Sequence, residues 1–401
     1  MAVYHEVSAY PFAPGPLSGL PAEYAGRRAR RPFGQVGLPS GHDAVLLVTH
    51  ADAAAALADV RLSHDLTAPG SPRVATGPSF LDDPKTLLNK DGEEHLRIRR
   101  IVASAFTPRR VERWRPTIRA VASDLIDRIE SGGPTADLVD AYCTPLPVVV
   151  IGKLLGVPDH DTERFERWSN AFALAARMTA EERKERIEEF AGYIAELLAT
   201  RRATPGNDLI DDLIAARDGE DRLSEPELAY LVMSIIVAGT HTTSNVLGRG
   251  VLTLLRDDRF LWRRLATEPA IVPAAVDEVL RVKSLGDLRL MRLATEDVEL
   301  PSGTVPKGQA VVIAMGSAMS DEAVYEAPDK VLLDRNSSVQ LMFGGGPHFC
   351  LGAHLAKAEL QVGLGLLAER LPGLRLAARL EELRFTEGEE LSSLESLPVS
   401  W

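Results

Sequence analysis

Helical periodicity dominates the chain from Glu93 onward and limits the possible folds more than any other feature of the sequence. Apolar residues recur at i, i+3 and i+4 spacing in one segment after another, which places them on one face of a helix. The longest such stretch, Glu225–Arg256, follows Ser224, a residue type that favours helix N-caps. The other predicted helices are Ile118–Glu130, Pro147–Leu155, Asp161–Ala176, Ala180–Arg201, Asp208–Arg217, Pro273–Val282 and Gly352–Leu371.

Shorter segments depart from this helical pattern. Ala44–Thr49 predicts a strand, and the alanine run in Ala51–Ala58 predicts a helix. Val298–Ala318 alternates and carries Pro-Ser-Gly and Pro-Lys-Gly turns, which predicts short strands. The Pro/Gly-rich opening through Gly41 is expected to be extended or irregular, and Pro69–Asn89 a long loop. The predicted fold class is mainly α with a small β region, and residues 1–401 are expected to form a single domain.

Charge and composition exclude several classes of protein. The chain of 401 residues has 57 acidic and 45 basic residues and a net charge of −12, which argues against a nucleic-acid backbone as partner. Two cysteines exclude a disulfide-rich secreted scaffold. Met1–Gly15 lacks the pattern of a signal peptide, and the most apolar stretch, Leu231–Gly239, is shorter than the roughly 20 residues that span a bilayer. We therefore expect a cytoplasmic protein with no membrane partner.

A glycine-rich segment, Phe343–Gly352, places Cys350 just before a predicted helix. The N–H groups and dipole of a helix N-terminus stabilise a thiolate, and glycines let the backbone approach a flat ligand closely. A cysteine without neighbours at zinc-like spacing is a poor structural zinc site, but it suits an axial ligand of heme iron. The alternative is a buried free cysteine in a turn.

Several motifs together resemble the cytochrome P-450 family. The pattern Phe-Gly-x-Gly-x-His-x-Cys-x-Gly is similar to its heme-thiolate signature, which implies that Cys350 binds the iron of heme b. Glu278 and Arg281 resemble its Glu-x-x-Arg helix, with Arg335 as a third partner, and Ala238–Thr243 resembles the oxygen-activation segment of its central helix. The similarity covers nearly the whole chain and implies the family's fold, with heme between the central helix and the cysteine loop.

The same resemblance assigns residues to the rest of the heme. His95 and Arg99, four apart on one helix, are similar to the pair that holds a heme propionate, and Arg292 and His348 match further propionate contacts. Each assignment has a plainer alternative: His95 and Arg99 could lie on a solvated basic face, and Glu278 with Arg281 could be an exposed surface pair. The further expected cofactor contacts are Ala238, Gly239 and Phe343. For Gly239, close helix packing is the alternative.

Two residues of the central helix are the expected catalytic residues. Thr242 is expected to relay protons to bound oxygen, although a threonine within a helix often bonds its i−4 carbonyl instead. His241 stands where the family usually has Asp or Glu. Histidine relays protons near neutral pH, its unperturbed pKa being about 6.5, so the substitution weakens the standard monooxygenase interpretation without removing it. The alternative hypothesis is oxidative coupling, dehydration or peroxide use. A third hypothesis is a non-catalytic heme binder or gas sensor.

The implied activity is that of a monooxygenase that hydroxylates or epoxidises a small organic molecule, such as a natural-product intermediate. It would use O₂ and electrons from a separate ferredoxin and ferredoxin reductase, since no flavin or ferredoxin domain is fused. The candidate docking cations are Arg97, Arg100, Arg109, Arg110 and Lys357. The expected pocket segments are Pro69–Leu88, Phe172–Met178, Ile235, Ala238, Ser284–Met291 and Leu391–Leu394.

Overall fold

Helices make up most of the structure, a computed structural model of the chain. The residues that it describes are 7–68, 71–74, 84–158, 161, 164–165, 167–168, 178–206, 208–218, 223–256, 259–282, 289–335, 340–386 and 392–401. The α-helices among them are Glu23–Arg30, His50–Ala58, Gly92–Ala103, Pro108–Ser131, Pro145–Leu154, Ala180–Ala203, Leu209–Asp218, Glu225–Arg256, Phe260–Thr267, Val272–Val282, Met315–Ala318 and Ala353–Arg370. The prediction of a mainly α fold with a small β region is confirmed.

The central helix, Glu225–Arg256, has the predicted bounds. Its start is capped from both sides, because the Glu227 N–H donates to Ser224 Oγ (3.3 Å) and the Ser224 N–H donates to the Glu227 carboxylate (2.7 Å). It packs against the helices Pro145–Leu154 and Ala353–Arg370. It is the one described helix long and apolar enough to cross a bilayer, but 61% of that apolar window is buried in the protein. Such burial is expected of the core helix of a soluble protein.

A mixed sheet forms most of the β region. Its strand order is β1-β2-β3-β9-β6-β4, with β3 parallel to β9 and β6 antiparallel to both β9 and β4. In the β4–β6 pair, Ser63 lies opposite Leu293, so His64 follows directly beside the strand that carries Arg292. The strands are β1 (Ser8–Ala9), β2 (Phe33–Gly37), β3 (Asp43–Leu47), β4 (Leu62–Ser63), β5 (Thr135–Asp137), β6 (Arg289–Ala294), β7 (Val298–Leu300), β8 (Gly303–Val305), β9 (Ala310–Ala314), β10 (Arg375–Leu376) and β11 (Pro398–Ser400).

Some predicted elements differ from the structure. The opening segment, expected to be irregular, contains the helix Glu23–Arg30, which buries Tyr24 against Tyr10 through a 2.9 Å bond between their hydroxyls. Strand β6 was missed because the buried Arg292 breaks its apolar pattern. The helix Pro108–Ser131 starts ten residues before its predicted bound, since proline is tolerated in a first helical turn.

The remaining differences are smaller. The alternating region from Val298 forms β7, β8 and β9 as predicted, but Met315–Ala318 is a helical turn. The helix Phe260–Thr267 was missed. Much of the predicted loop Pro69–Asn89 and of the predicted helix Asp161–Ala176 lies outside the described residues.

A buried ion network fixes the helix Val272–Val282. Glu278 accepts two hydrogen bonds from Arg281, at 2.8 and 2.9 Å, and Arg335 Nε lies 3.1 Å from the same carboxylate. The Arg281 side chain is 1% exposed and that of Glu278 6%, so these residues are not a surface pair. Burial alone would raise the pKa of Glu278, but the hydrogen bonds from Arg281 and from the Leu332 N–H, with both cations nearby, hold it below its ordinary value.

The same arginine ties this helix to the chain that leads to the cysteine loop. The Arg281 guanidinium donates to the carbonyls of Met319 (3.3 Å), Pro328 (2.7 Å) and Lys330 (2.8 Å). The Tyr325 ring lies 5.1 Å from the Arg281 guanidinium. The segment before the cysteine loop is therefore held to the helical core by one buried charge.

Replacing Glu278 should test this network. We expect Glu278→Gln to lower the free energy of unfolding by about 3–5 kcal/mol, because it leaves two buried cations without their anion. Urea denaturation measures the loss. Since the folded-state pKa of Glu278 lies below its unfolded value, the stabilisation is present above the unfolded pKa and disappears as pH falls through the folded one. The difference between the two proteins should therefore shrink on acidification.

A matched control is Glu268→Gln, which breaks the exposed pair that Arg264 and Glu268 form at 2.7 Å. It should leave unfolding unchanged, because exposed pairs contribute little. Equal unfolding curves for the two variants would show that the Glu278 network does not hold the fold.

Candidate functional site

The cysteine loop, Phe343–Gly352, is closed by a backbone bond from the Cys350 N–H to the Phe343 carbonyl (2.7 Å). Gly346 has a φ of +60°, which favours glycine, and a Cβ there would lie 2.7 Å from the Leu57 carbonyl oxygen. Close approach of a flat ligand is the predicted reason for glycine. The structure adds a second reason for glycine at residue 346, which is its left-handed φ and its packing against the helix His50–Ala58.

The Cys350 sulfur lies just before the helix Ala353–Arg370, where the nearby N–H groups of Gly352 and Ala353 favour its thiolate form. One side of the residue is exposed, yet surrounding protein still desolvates the sulfur. Burial raises the pKa of the Cys350 thiol above its ordinary value, and the two N–H groups and the Arg99 guanidinium only partly oppose this. The predicted donors are present, but a bound metal cation would be needed to favour the thiolate.

The four residues expected to hold heme carboxylates lie close to one another. The rings of His95 and His348 are stacked with centroids 4.0 Å apart. Arg99, one turn after His95 on the helix Gly92–Ala103, donates to the Phe349 carbonyl beside Cys350. Arg292 reaches the cluster from β6 and is 6% exposed. His95 is 2% exposed, so the solvated-face alternative does not apply to it.

His64 belongs to this cluster, although no motif in the sequence points to it. Its ring is stacked on the other face of His348, with centroids 3.4 Å apart. His64 and His348 are far apart in the sequence, and the β4–β6 pairing and the bonds to Asp91 bring His64 here. A single histidine after a short strand carried no signal that could have found it.

The positive charge of this cluster comes from two arginines, Arg99 and Arg292. Arg292 donates to its neighbour's carbonyl, Met291 O (2.6 Å), and no carboxylate among the described residues lies within ion-pair distance of it. Burial lowers the pKa of Arg292 to about 9 and, with the adjacent imidazole of His348 and the Arg99 cation, lowers that of His95 to about 4. A buried cation without a partner is costly, so this arrangement favours an anionic ligand.

Asp91 is the one carboxylate within the cluster, and its oxygens are already engaged. Oδ1 lies 3.2 Å from His348 Nε2, while Oδ2 accepts from Ser63 Oγ (2.5 Å) and the His64 N–H (3.0 Å). Burial alone would raise the pKa of Asp91, but these bonds hold it far below its usual range. Asp91 therefore fixes the imidazoles in place and leaves Arg292 available to another anion.

These residues fit heme. A sulfur at a helix N-terminus suits the iron, and buried Arg and His groups suit the two carboxylates. Phe343 lies at the base of the cysteine loop, where its ring is 6.4 Å from that of Phe349. The heme contacts of individual residues stay predictions.

The central helix is exposed at Ala238, in the middle of an otherwise mostly buried stretch. The Thr242 hydroxyl donates to the Ala238 carbonyl (2.7 Å), so its oxygen can still accept a hydrogen bond. A Cβ at Gly239 would lie 3.3 Å from Ile151 Cδ1, and this close packing is a sufficient reason for the glycine. His241 is half-buried beside them. The catalytic roles of Thr242 and His241 stay predictions.

The expected pocket segments fall largely outside the described residues, including 75–83, 172–177 and 284–288. Ile235 is described and buried. A cavity of about 330 Å³ lies elsewhere, between Arg164, Trp168 and Tyr193, and shares no residue with the cysteine loop or the central helix.

Three of the expected docking cations are paired with acids. Arg97 is paired with Glu227, Arg110 with Asp212, and Lys357 with Asp277 at 2.8 Å. Arg109 is exposed. The proposed basic face is therefore partly neutralised.

Comparisons with known proteins agree with this site. The family model for cytochrome P-450 matches residues 146–268 and 267–371. The chain is 39% identical to mycinamicin IV hydroxylase/epoxidase of Micromonospora griseorubida and 40% identical to nocardicin C N-oxygenase of Nocardia uniformis subsp. tsuyamanensis, over 99% of each chain in both cases.

Solved structures give the same result. The mixed-function P-450 MycG has a TM-score of 0.91 and is 38% identical, over 99% of this chain and 100% of its own. The putative thioether synthase SgvP, from the tailoring step of griseoviridin, has a TM-score of 0.92 at 32% identity, with the same coverage.

The cysteine loop can be tested through its glycines. We expect Gly346→Ala to lower the free energy of unfolding by about 1–3 kcal/mol, because it forces a left-handed φ and a clash with the Leu57 carbonyl. Gly352→Ala is the matched control, since φ there is −84° and nothing lies within 4 Å of its Cβ position. Chemical denaturation compares the two, and equal stability would contradict the packing described for Gly346.

Proposed function

Because the chain belongs to the cytochrome P-450 family and is a monooxygenase at family level, we propose that it hydroxylates or epoxidises a natural-product intermediate, with heme b held by Cys350. The observation that carries this proposal is Cys350 at the start of the helix Ala353–Arg370, beside a cluster whose buried Arg292 has no ion-paired acid among the described residues. For hydroxylation, one C–H bond becomes C–OH, and O₂, two electrons and two protons yield the inserted oxygen and one water.

The substrate class is supported by the relatives. One relative is named for hydroxylation and epoxidation of mycinamicin IV and the other for N-oxygenation of nocardicin C. Mycinamicin IV and nocardicin C are named for those two proteins and not for this chain. For this chain we propose only a natural product of moderate polarity. Ile235 and Ala238 are the described residues proposed to face it.

The residues divide the work between holding the cofactor and moving protons. Heme supplies the redox chemistry that activates O₂. Cys350 would bind its iron, and His95, Arg99, Arg292 and His348 would hold its carboxylates, while Phe343, Ala238 and Gly239 are proposed as further contacts. The Thr242 hydroxyl, oriented by its bond to Ala238 O, is proposed to pass protons into the site, with His241 as its proton source.

Electrons are proposed to come from a separate ferredoxin and its reductase, in the cytoplasm. The support is the set of basic residues near the cysteine loop and the helix Gly92–Ala103. Because Arg97, Arg110 and Lys357 are already paired with acids, exposed Arg109 is the stronger docking candidate among the described cations.

A second candidate function is atypical heme-thiolate chemistry, such as oxidative coupling or dehydration. His241 in place of an acid motivates it. The high TM-score to the putative thioether synthase SgvP adds support, since thioether formation is a reaction other than hydroxylation.

Isotope labelling separates the two candidates. A substrate is first found by screening natural products for the spin-state shift of the Soret band. Turnover with ferredoxin, reductase and ¹⁸O₂ should then give a product that contains one labelled oxygen atom. A product without labelled oxygen, or faster turnover with peroxide alone, would contradict the proposed monooxygenase and favour the second candidate.

Proton delivery can be tested at Thr242. We expect Thr242→Ala to lower the product formed per electron pair several-fold and to increase hydrogen peroxide, because the hydroxyl that positions the proton is lost. Thr242→Ser keeps the hydroxyl and should stay close to the wild type. Equal coupling in the Ala and Ser variants would assign Thr242 a packing role.

The role of His241 is tested by restoring the acid. His241→Glu should change coupling or product distribution if this imidazole routes protons. Unchanged coupling and product would show that the departure from the family pattern has no chemical effect.

A further inference from the structure

Three imidazole rings are stacked at the edge of the candidate site, with His348 in the middle. Its ring centroid lies 3.4 Å from that of His64 on one face and 4.0 Å from that of His95 on the other, with interplanar angles of 15° and 23°. We call His64, His95 and His348 the histidine stack. His64 is the member that no sequence motif assigns to a function.

The backbone fixes the position of His64. Ser63 pairs with Leu293 across β4 and β6, so His64 emerges next to the strand that carries Arg292. The His64 N–H and the Ser63 hydroxyl both donate to Asp91 Oδ2, at 3.0 and 2.5 Å. His64 is 8% exposed. Its ring is thus placed by strand pairing and by a carboxylate, and it is not a mobile surface side chain.

The ring nitrogens of His64 have no hydrogen-bond partner among the described residues, and the same is true of His95. Asp91 does not bond them, and its oxygens accept instead from Ser63, the His64 backbone and His348. Burial, the Arg292 cation and the neighbouring imidazoles hold the pKa of His64 well below its ordinary value, so the ring is neutral and carries one N–H. An N–H on a ring that is 8% exposed, next to a buried arginine, favours an acceptor there.

From this placement we infer that His64 is a further heme-binding residue, whose ring N–H donates to a heme carboxylate beside Arg292 and His348. The inference rests on the heme binding that the proposed function requires, and it adds one contact to that site. The ligand group is a carboxylate, an anion that Arg and imidazole N–H groups bind well.

The competing explanation is that His64 is only a flat spacer that supports His348. Two variants separate the explanations. His64→Phe keeps an aromatic ring for stacking and removes the N–H, whereas His64→Gln keeps an N–H donor and removes the ring. His42→Phe is the matched control, because His42 is exposed and bonds only Ser40 nearby (3.1 Å).

The experiment measures the rate of heme loss from the full-length, heme-loaded protein to excess apomyoglobin, followed in the Soret band. We expect His64→Phe to lose heme roughly tenfold to a hundredfold faster than the wild type, as expected when a hydrogen bond to a charged group is lost. His64→Gln should stay close to the wild type, and His42→Phe should be unchanged.

Two results would overturn the inference. His64→Phe could lose heme at the wild-type rate, or the Phe and Gln variants could accelerate loss equally, which would assign His64 a packing role. The free energy of unfolding of the heme-free proteins is measured in parallel. Equal destabilisation of His64→Phe and His64→Gln would likewise assign His64 a packing role. The heme-loss assay uses no substrate or reductase. Failure to find an oxygenated product in the turnover assay would therefore refute the proposed activity without changing the heme-loss result.

Discussion

The buried charge network around Glu278 is the constraint on which the candidate site depends. Arg281 satisfies that carboxylate with two hydrogen bonds and uses its other N–H groups to hold the carbonyls of Pro328 and Lys330. A salt bridge on a neighbouring helix therefore anchors the chain segment that precedes the cysteine loop in the sequence.

The candidate site differs from the Glu278 network in how its buried charge is satisfied. Around Glu278 each charge has a partner, whereas Arg292 is buried with one carbonyl and no ion-paired acid among the described residues. Asp91 lies close by, but it is engaged by His348 and the chain at Ser63 and His64. A protein gains no stability from such an arrangement by itself. The buried Arg292 is explained by a site that binds an anion, such as a carboxylate of heme.

Motifs in the sequence predicted those parts of the site whose functional residues are close together in the chain. The cysteine loop, the Glu278–Arg281 pair and the central helix all carry their signal within one segment. The sequence could not show His64, since strand pairing across more than two hundred residues brings it to Arg292. It also could not show that Gly346 packs against the backbone of Leu57, because that contact is with a helix distant in the sequence.

The bond between sulfur and iron is the central claim, and the absorption spectrum of the reduced carbon monoxide complex tests it most directly. The heme-loaded wild-type protein should show the Soret band of a thiolate-ligated heme, and Cys350→Ser should lose it while Cys143→Ser, at the buried second cysteine, keeps it. A wild-type band characteristic of a nitrogen ligand, or a thiolate band that survives in Cys350→Ser, would contradict the account.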